Sequence, residues 1–207
     1  MDDITPRHAA IGTIGAFTAI GDLDRLSVAL RTGLDAGLTV NQIKEVLVQM
    51  YAYAGFPRAL NAIGTFMTVV DERGGSDETG PEPALLPAGT DMLELGTRNQ
   101  TALSGAPVTG PLFEFAPAID RFLKTHLFGD IFARDNLDWP SREIATISAL
   151  AALTGTGSQL RSHFAIGLNT GLTEDQLRGL VRVLRAELGQ EPGDAAERIL
   201  DDVLANR

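Results

Sequence analysis

The stretch Gly33-Leu34-Asp35-Ala36-Gly37-Leu38-Thr39-Val40-Asn41-Gln42-Ile43-Lys44 returns as Gly167-Leu168-Asn169-Thr170-Gly171-Leu172-Thr173-Glu174-Asp175-Gln176-Leu177-Arg178. The offset is constant at 134 residues (Gly33 to Gly167), without a gap, and Gly55 falls on Gly189. Each copy reads as one helix, a glycine stop and the start of a second helix. Thr39-x-x-Gln42 and Thr173-x-x-Gln176 are capping boxes, in which the threonine and the glutamine satisfy orphan backbone donors reciprocally. Two unrelated helical pairs would share a glycine and a capping residue. They would not share the whole Gly-Leu-x-x-Gly-Leu-Thr-x-x-Gln frame, so the chain is read as an internal duplication. Two repeats related by a pseudo-twofold axis share one core. The expectation is an all-α fold, a duplicated helical bundle forming one compact unit.

Outward from these frames, apolar residues recur at helical spacing and strand alternation is scarce. Expected helices cover Leu23–Ala36, Val40–Ala54 and Arg58–Val70, with Pro57 at a favoured first-turn position. Further helices are expected over Pro117–Phe128, Arg142–Leu153, Ser158–Thr170, Glu174–Leu188 and Ala195–Ala205. Residues 73–111 are rich in glycine and proline and read as a linker with one short helix near Asp91–Leu103. The expected division is a first repeat at 1–72, a linker at 73–113 and a second repeat at 114–207.

Composition removes several functions. Hydrophobic residues make up 44% and charged residues 21% of the 207-residue chain, too apolar for disorder and enough for a sizeable core. The 27 acidic residues outnumber the 17 Lys and Arg for a net charge of -10, against broad contact with nucleic-acid phosphates. No apolar run approaches the roughly 18–20 residues of a membrane span. Met1-Asp2-Asp3-Ile4 lacks the basic start of a secretory leader, so the expected compartment is the cytoplasm. Cysteine is absent, so thiolate catalysis and Cys-ligated metals have no ligand or nucleophile. Three histidines, His8, His126 and His163, make a His-rich metal cage unlikely in composition terms. One metal held by His126, His163 and a carboxylate stays open as a minor alternative. Neither a strand-linked Gly-x-Gly-x-x-Gly nor a P-loop lysine occurs, so no nucleotide cofactor is expected.

Tyr51-Ala52-Tyr53-Ala54-Gly55-Phe56-Pro57 after Gly-Leu-Thr-x-x-Gln-Ile-Lys-Glu resembles the carboxymuconolactone decarboxylase family, which includes the alkylhydroperoxidase D-like proteins. Ser141-Arg142-Glu143, Gln159-Leu160-Arg161-Ser162-His163 and the second Gly-Leu frame resemble the same family's core motif. The resemblance spans roughly residues 10–72 and 112–190. It implies an all-α bundle assembling into trimers or hexamers, and a cofactor-free lyase acting on a small oxygenated acid or lactone. The family's peroxidase branch uses a Cys-x-x-Cys pair, and the aligned positions hold Thr156 and Gln159. The decarboxylase branch often carries a glutamate where Gln159 stands. The alternative function is a non-catalytic oligomeric module that binds a small molecule or a protein.

His163 is the expected proton donor, because imidazole titrates near neutrality and can protonate an enolate carbon. Its bland reading is a core histidine. Glu143 is the expected partner, against a first-turn glutamate favoured by the helix dipole. With the turn centred at Thr156, the two residues stand roughly 9 Å apart along the hairpin axis, so a direct hydrogen bond needs a kink, a water or a different hairpin register. His126 is a candidate for the same pocket, or a cation at a helix C-terminus. Arg142, Arg161 and Arg134 are candidates to clamp a substrate carboxylate, or surface ion pairs. Tyr51, Tyr53 and Gln159 are candidate substrate contacts. His8 reads as a chain-end residue.

The copies divide these residues. At the 134 offset, His163 and Glu143 correspond to Ala29 and Ala9, and Tyr53 and Pro57 correspond to Glu187 and Glu191. One pocket per chain is therefore expected between the repeats, with acid–base groups from the second and a wall from the first.

Overall fold

A computed structural model of the chain describes residues 4–207; the leader reading rests on Met1–Asp3, which lie outside the described residues. Four helices form the first repeat: α1 (Pro6–Ile20), α2 (Leu23–Asp35), α3 (Val40–Ala54) and α4 (Phe56–Glu72). The connection holds α5 (Met92–Ser104), α6 (Pro111–Phe115) and α7 (Pro117–Phe122), which runs into a π-helical segment, Leu123–Ile131. The second repeat is α8 (Trp139–Ala152), α9 (Gly157–Asn169), α10 (Glu174–Leu188) and α11 (Gln190–Ala205). No strand occurs among the described residues.

The duplication is visible helix by helix. α2 and α9, and α3 and α10, begin and end at residues that match at the sequence offset. Both capping boxes form, with Thr39 and Thr173 each accepting from the glutamine N–H three residues on. Gly37 (φ 84°) and Gly171 (φ 101°) take the left-handed conformation that lets the chain turn between the paired helices.

α1 lies outside the helices expected from periodicity, for a physical reason. From Ala10 to Ala19 it is buried on nearly every side, so it has no polar face to set a period. It crosses its counterpart α8 so closely that a Cβ on Gly15 would stand 2.7 Å from the Ala145 carbonyl oxygen. One core runs through both repeats, joining Ile14, Leu30, Ile43 and Met50 to Ile144, Phe164, Leu180 and Leu200. A smaller cluster, Leu103, Phe128, Ile131, Phe132 and Ile166, ties α5 and the π-helical segment to α9.

The glycine- and proline-rich connection is docked rather than loose. The carbonyls of Glu78 and Thr79 accept from the N–H groups of Val40 and Asn41 at 2.9 Å, filling orphan donors at the start of α3. Asn41 Nδ2 donates to the Gly80 carbonyl, and the Ala84 N–H donates to Asp135. α6 runs across the expected boundary between residues 113 and 114. Where one helix was expected over Pro117–Phe128, the chain forms α7 and then widens into π turns, with Gly96 of α5 pressed against the Lys124 carbonyl. Among the described residues, no helix is long and apolar enough to cross a membrane.

Candidate acid–base site

Asp138 caps α8 by accepting from the Ser141 N–H at 2.8 Å, and Trp139 and Pro140 open its first turn. From Ser141 to Leu150 the helix is buried on all sides. Glu143 (0% exposed) therefore projects into protein, and it meets His163 (9% exposed) of α9. Glu143 Oε2 and His163 Nδ1 are 2.7 Å apart. The expected separation of roughly 9 Å is corrected by the turn: α8 ends at Ala152 and α9 begins at Gly157. Measured from those ends, the two residues differ by about three positions, or ~4.5 Å of rise, which the side chains span.

A carboxylate only accepts hydrogen bonds, so this contact puts the imidazole proton on Nδ1 and leaves Nε2 as the nitrogen available to a ligand. The other carboxylate oxygen, Glu143 Oε1, is buried without a hydrogen-bond partner. Tyr53 of α3 packs edge-on against the imidazole, with ring centroids 5.8 Å apart. Its hydroxyl is buried on the side of Thr146. Burial, together with the nearby Glu143 charge, pushes this phenol far above its ordinary pKa, so it stays protonated. Residues of both repeats thus meet at His163.

His163 opens onto a cavity of about 560 Å³. Ser158, Gln159, Ser162 and Ile166 of α9 form one side of it. Gln100 and Ser104 of α5, Leu112 and Phe113 of α6, and Ile119 and Phe128 close the other. The α5 and α6 walls were missed in the sequence because that region carries no family motif and reads as linker.

The remaining candidates stand elsewhere. Tyr51 stacks on Phe56 at 4.4 Å and lies 5.5 Å from His126, which pairs with Asp130 at 2.6 Å on a half-exposed surface. His126 and Tyr51 do not line the His163 cavity, correcting their expected place beside it. Arg142 (0% exposed) is enclosed, because its guanidinium donates to Glu45, Gln49 and the Arg134 carbonyl. Burial pulls its pKa down, and Glu45 opposes the shift. Arg134 forks onto Glu45 at 2.7–3.0 Å. Burial alone would raise the Glu45 pKa, but the two arginines outweigh it and hold the carboxyl below its usual range. Arg161 pairs with Asp202 at 2.5 Å on the outer side of α9. None of the three arginines lines the His163 cavity. The reason is common: Arg142 and Arg134 share the Glu45 carboxylate, and Arg161 is taken by Asp202.

Glu45 and Gln49 escaped the sequence reading as site residues. They sit on the buried face of α3, one turn apart, and Gln49 Nε2 donates to the Arg142 carbonyl and to Thr146 Oγ1. Asn41, Glu45 and Gln49 recur one turn apart on the buried face of α3, and Glu45 closes the Gly-Leu-Thr-x-x-Gln-Ile-Lys-Glu run, the two signals that could have found it. His8 is partly buried, and desolvation lowers its pKa. Among the described residues, no group of three or more His, Asp or Glu is placed to hold a metal ion.

Comparison with known proteins adds two findings. The model of the carboxymuconolactone decarboxylase family matches residues 2–66 and 117–202, one block in each half and well over half of the chain. A 4-carboxymuconolactone decarboxylase of Acinetobacter baylyi (strain ATCC 33305 / BD413 / ADP1) is 28% identical over 92 residues, which span 44% of this chain and 68% of that protein.

Proposed function

The chain belongs to the carboxymuconolactone decarboxylase family, and from that premise we propose a cofactor-independent, decarboxylase-like enzyme that moves a proton on a small oxygenated acid or lactone. The observation that carries the reading is the buried 2.7 Å contact between Glu143 and His163 at the wall of a cavity. His163 is the proposed catalytic acid–base group, and Glu143 is its positioning residue.

The chemistry follows from the tautomer. Nε2 of His163 removes a proton from carbon beside a carbonyl, and the bonding pair moves onto the carbonyl oxygen as an enolate. Glu143 stabilises the imidazolium so formed. The same proton is then returned to carbon. In a decarboxylation the carbon–carbon bond to the carboxylate breaks instead and carbon dioxide leaves with no bonding electrons; Nε2 of His163, having first taken a proton from solvent, delivers it to the enolate carbon. Gln159 lines the same cavity and offers an amide donor for the enolate oxygen, its Oε1 accepting from the Ser158 hydroxyl. Thiol-dependent peroxide reduction has no nucleophile in a chain without cysteine.

The test compares wild type with His163→Gln, which can still donate to Glu143 but cannot accept a proton at pH 7. Carbon–deuterium exchange in heavy water and carbon dioxide release are read on a panel of lactones and β-keto acids. Activity lost in the variant supports the reading. Equal activity in both proteins sinks it, and tight binding without turnover would favour a non-catalytic binding module. The trimeric or hexameric assembly, the cytoplasmic location and the division into 1–72, 73–113 and 114–207 belong to the same proposal. Light scattering checks the first of these.

A further inference from the structure

The His163 cavity lacks a cation. No Lys or Arg lines it, and its wall is chiefly Val108, Leu112, Phe113, Ile119, Leu123 and Phe128. Its polar groups besides His163 are neutral: Gln100, Ser104, Ser158, Gln159 and Ser162. The nearest charge behind the imidazole is the buried Glu143 carboxylate, and the whole chain carries a net charge of -10. A bound anion would meet repulsion at both ranges. The three arginines that suit a carboxylate clamp are committed to Glu45 and Asp202.

We infer that the part of the substrate filling this cavity is uncharged and apolar, as in a lactone or cyclic ketone with a hydrocarbon substituent, and that carboxylate-rich lactones are poor ligands. This rests on the proton-transfer reading of His163 only for its reactive end; the selectivity rests on the wall. Burying a carboxylate without a cation costs more than the apolar contacts of a short chain return. The Gln100 and Gln159 amides are neutral donors that suit one carbonyl oxygen.

The molecule contains an internal contrast. In the first repeat, a cavity of about 460 Å³ is lined by Asp24, Arg25, Val28, Ala29 and Thr32, the counterparts of Ser158, Gln159, Ser162, His163 and Ile166. Arg25 stands where Gln159 stands in the second, and there it is paired with Glu187 at 3.2 Å. This helix position accepts an arginine in this fold, so its absence from the His163 cavity is a difference in sequence and not a packing requirement.

For a neutral β,γ-unsaturated lactone the proposed step balances simply. Nε2 takes the proton from the carbon between carbonyl and double bond, the double bond shifts into conjugation through the dienolate, and the imidazolium returns the proton to the γ-carbon.

The experiment uses a matched pair: γ-butyl-β,γ-butenolide, and the same lactone with its side chain ending in a carboxylate. Calorimetry on His163→Gln gives binding without turnover, and ultraviolet absorbance on wild type gives isomerisation to the conjugated lactone. The neutral member is expected to bind at least tenfold tighter at pH 7. Gln159→Arg is expected to close or reverse that gap by strengthening the carboxylate member at least tenfold. Equal or tighter binding of the carboxylate by the unaltered cavity overturns the inference, as does failure of both to bind at millimolar concentration. His163-dependent isomerisation in the face of that result leaves the proton-transfer reading standing. Selective binding of the neutral lactone without isomerisation does the reverse: the selectivity holds and the reaction fails.

Discussion

The two repeats build the same frame and fill it differently. Each carries four helices, a capping box and a left-handed glycine at matching places, and each leaves a cavity beside its second helix. The first cavity holds an Arg25–Glu187 ion pair, and only the second has an imidazole backed by a buried carboxylate. Glu143 and His163 stand where the first repeat has Ala9 and Ala29. Across the first cavity stands Glu187, the counterpart of the Tyr53 that packs on His163. Helix geometry makes a pocket, and a few substitutions within the helices decide whether it holds an acid–base group.

The largest effect should come from erasing that difference. His163→Gln is expected to lower turnover by about 10²–10⁴-fold, the usual contribution of one acid–base group. A steady-state assay with fold checked by circular dichroism reads it, and a loss under threefold would mean that the repeats do not differ catalytically.

The second contrast is the network that Glu45 of repeat one makes with two arginines of repeat two. Glu45 pairs with both Arg142 and Arg134, and its counterpart in repeat two is Gly179. Glu45→Ala leaves the fully buried Arg142 uncompensated, which should cost about 3–5 kcal/mol in urea unfolding.

The same carboxyl sets an acid sensitivity. The folded-state pKa of Glu45 lies below its ordinary value of 4.5, with burial as the largest opposing cause and the arginines prevailing. Its stabilisation is complete above the unfolded value and fades as pH falls from there toward the folded value. Between pH 6 and 3, wild type should therefore lose melting temperature more steeply than Glu45→Gln. Parallel curves would remove Glu45 from the account.

The smallest effect tests the likeness itself. Thr39→Ala and Thr173→Ala each delete one side-chain cap, and each should cost about 1 kcal/mol. Unequal losses would point to the Glu78 and Thr79 carbonyls, which support α3 but have no counterpart at α10 in the sequence frame.

Legibility followed exposure. α3 and α10 begin and end where the caps and glycines predicted, because amphipathic helices with one wet face carry a period and sharp ends. α1 has ends as sharp, with Thr5 and Pro6 at its start and Gly21 (φ 76°) at its stop, but it carries no period, being enclosed on almost every side. The π-helical segment was read as ordinary helix, since its apolar residues do not distinguish i→i+4 from i→i+5 bonding. His163 and Glu143 were named from the family motif, yet their contact was misjudged because the hairpin turn was centred too late in the chain. The α5 and α6 walls had no motif to mark them, and Glu45, although it closes the Gly-Leu-Thr-x-x-Gln-Ile-Lys-Glu run, was not read as a site residue.

Sequence alone determined the duplication, the helical class and the absence of thiol chemistry, because these depend on which residues occur and at what spacing. Tertiary structure alone decided which charged groups meet. Glu143 reaches His163 across a hairpin, Tyr53 arrives from the other repeat, and Arg142 and Arg134 turn inward to Glu45. The reason is that such distances are set by the register and crossing of separate helices, where one residue of offset moves a side chain by ~1.5 Å and turns it by about 100°.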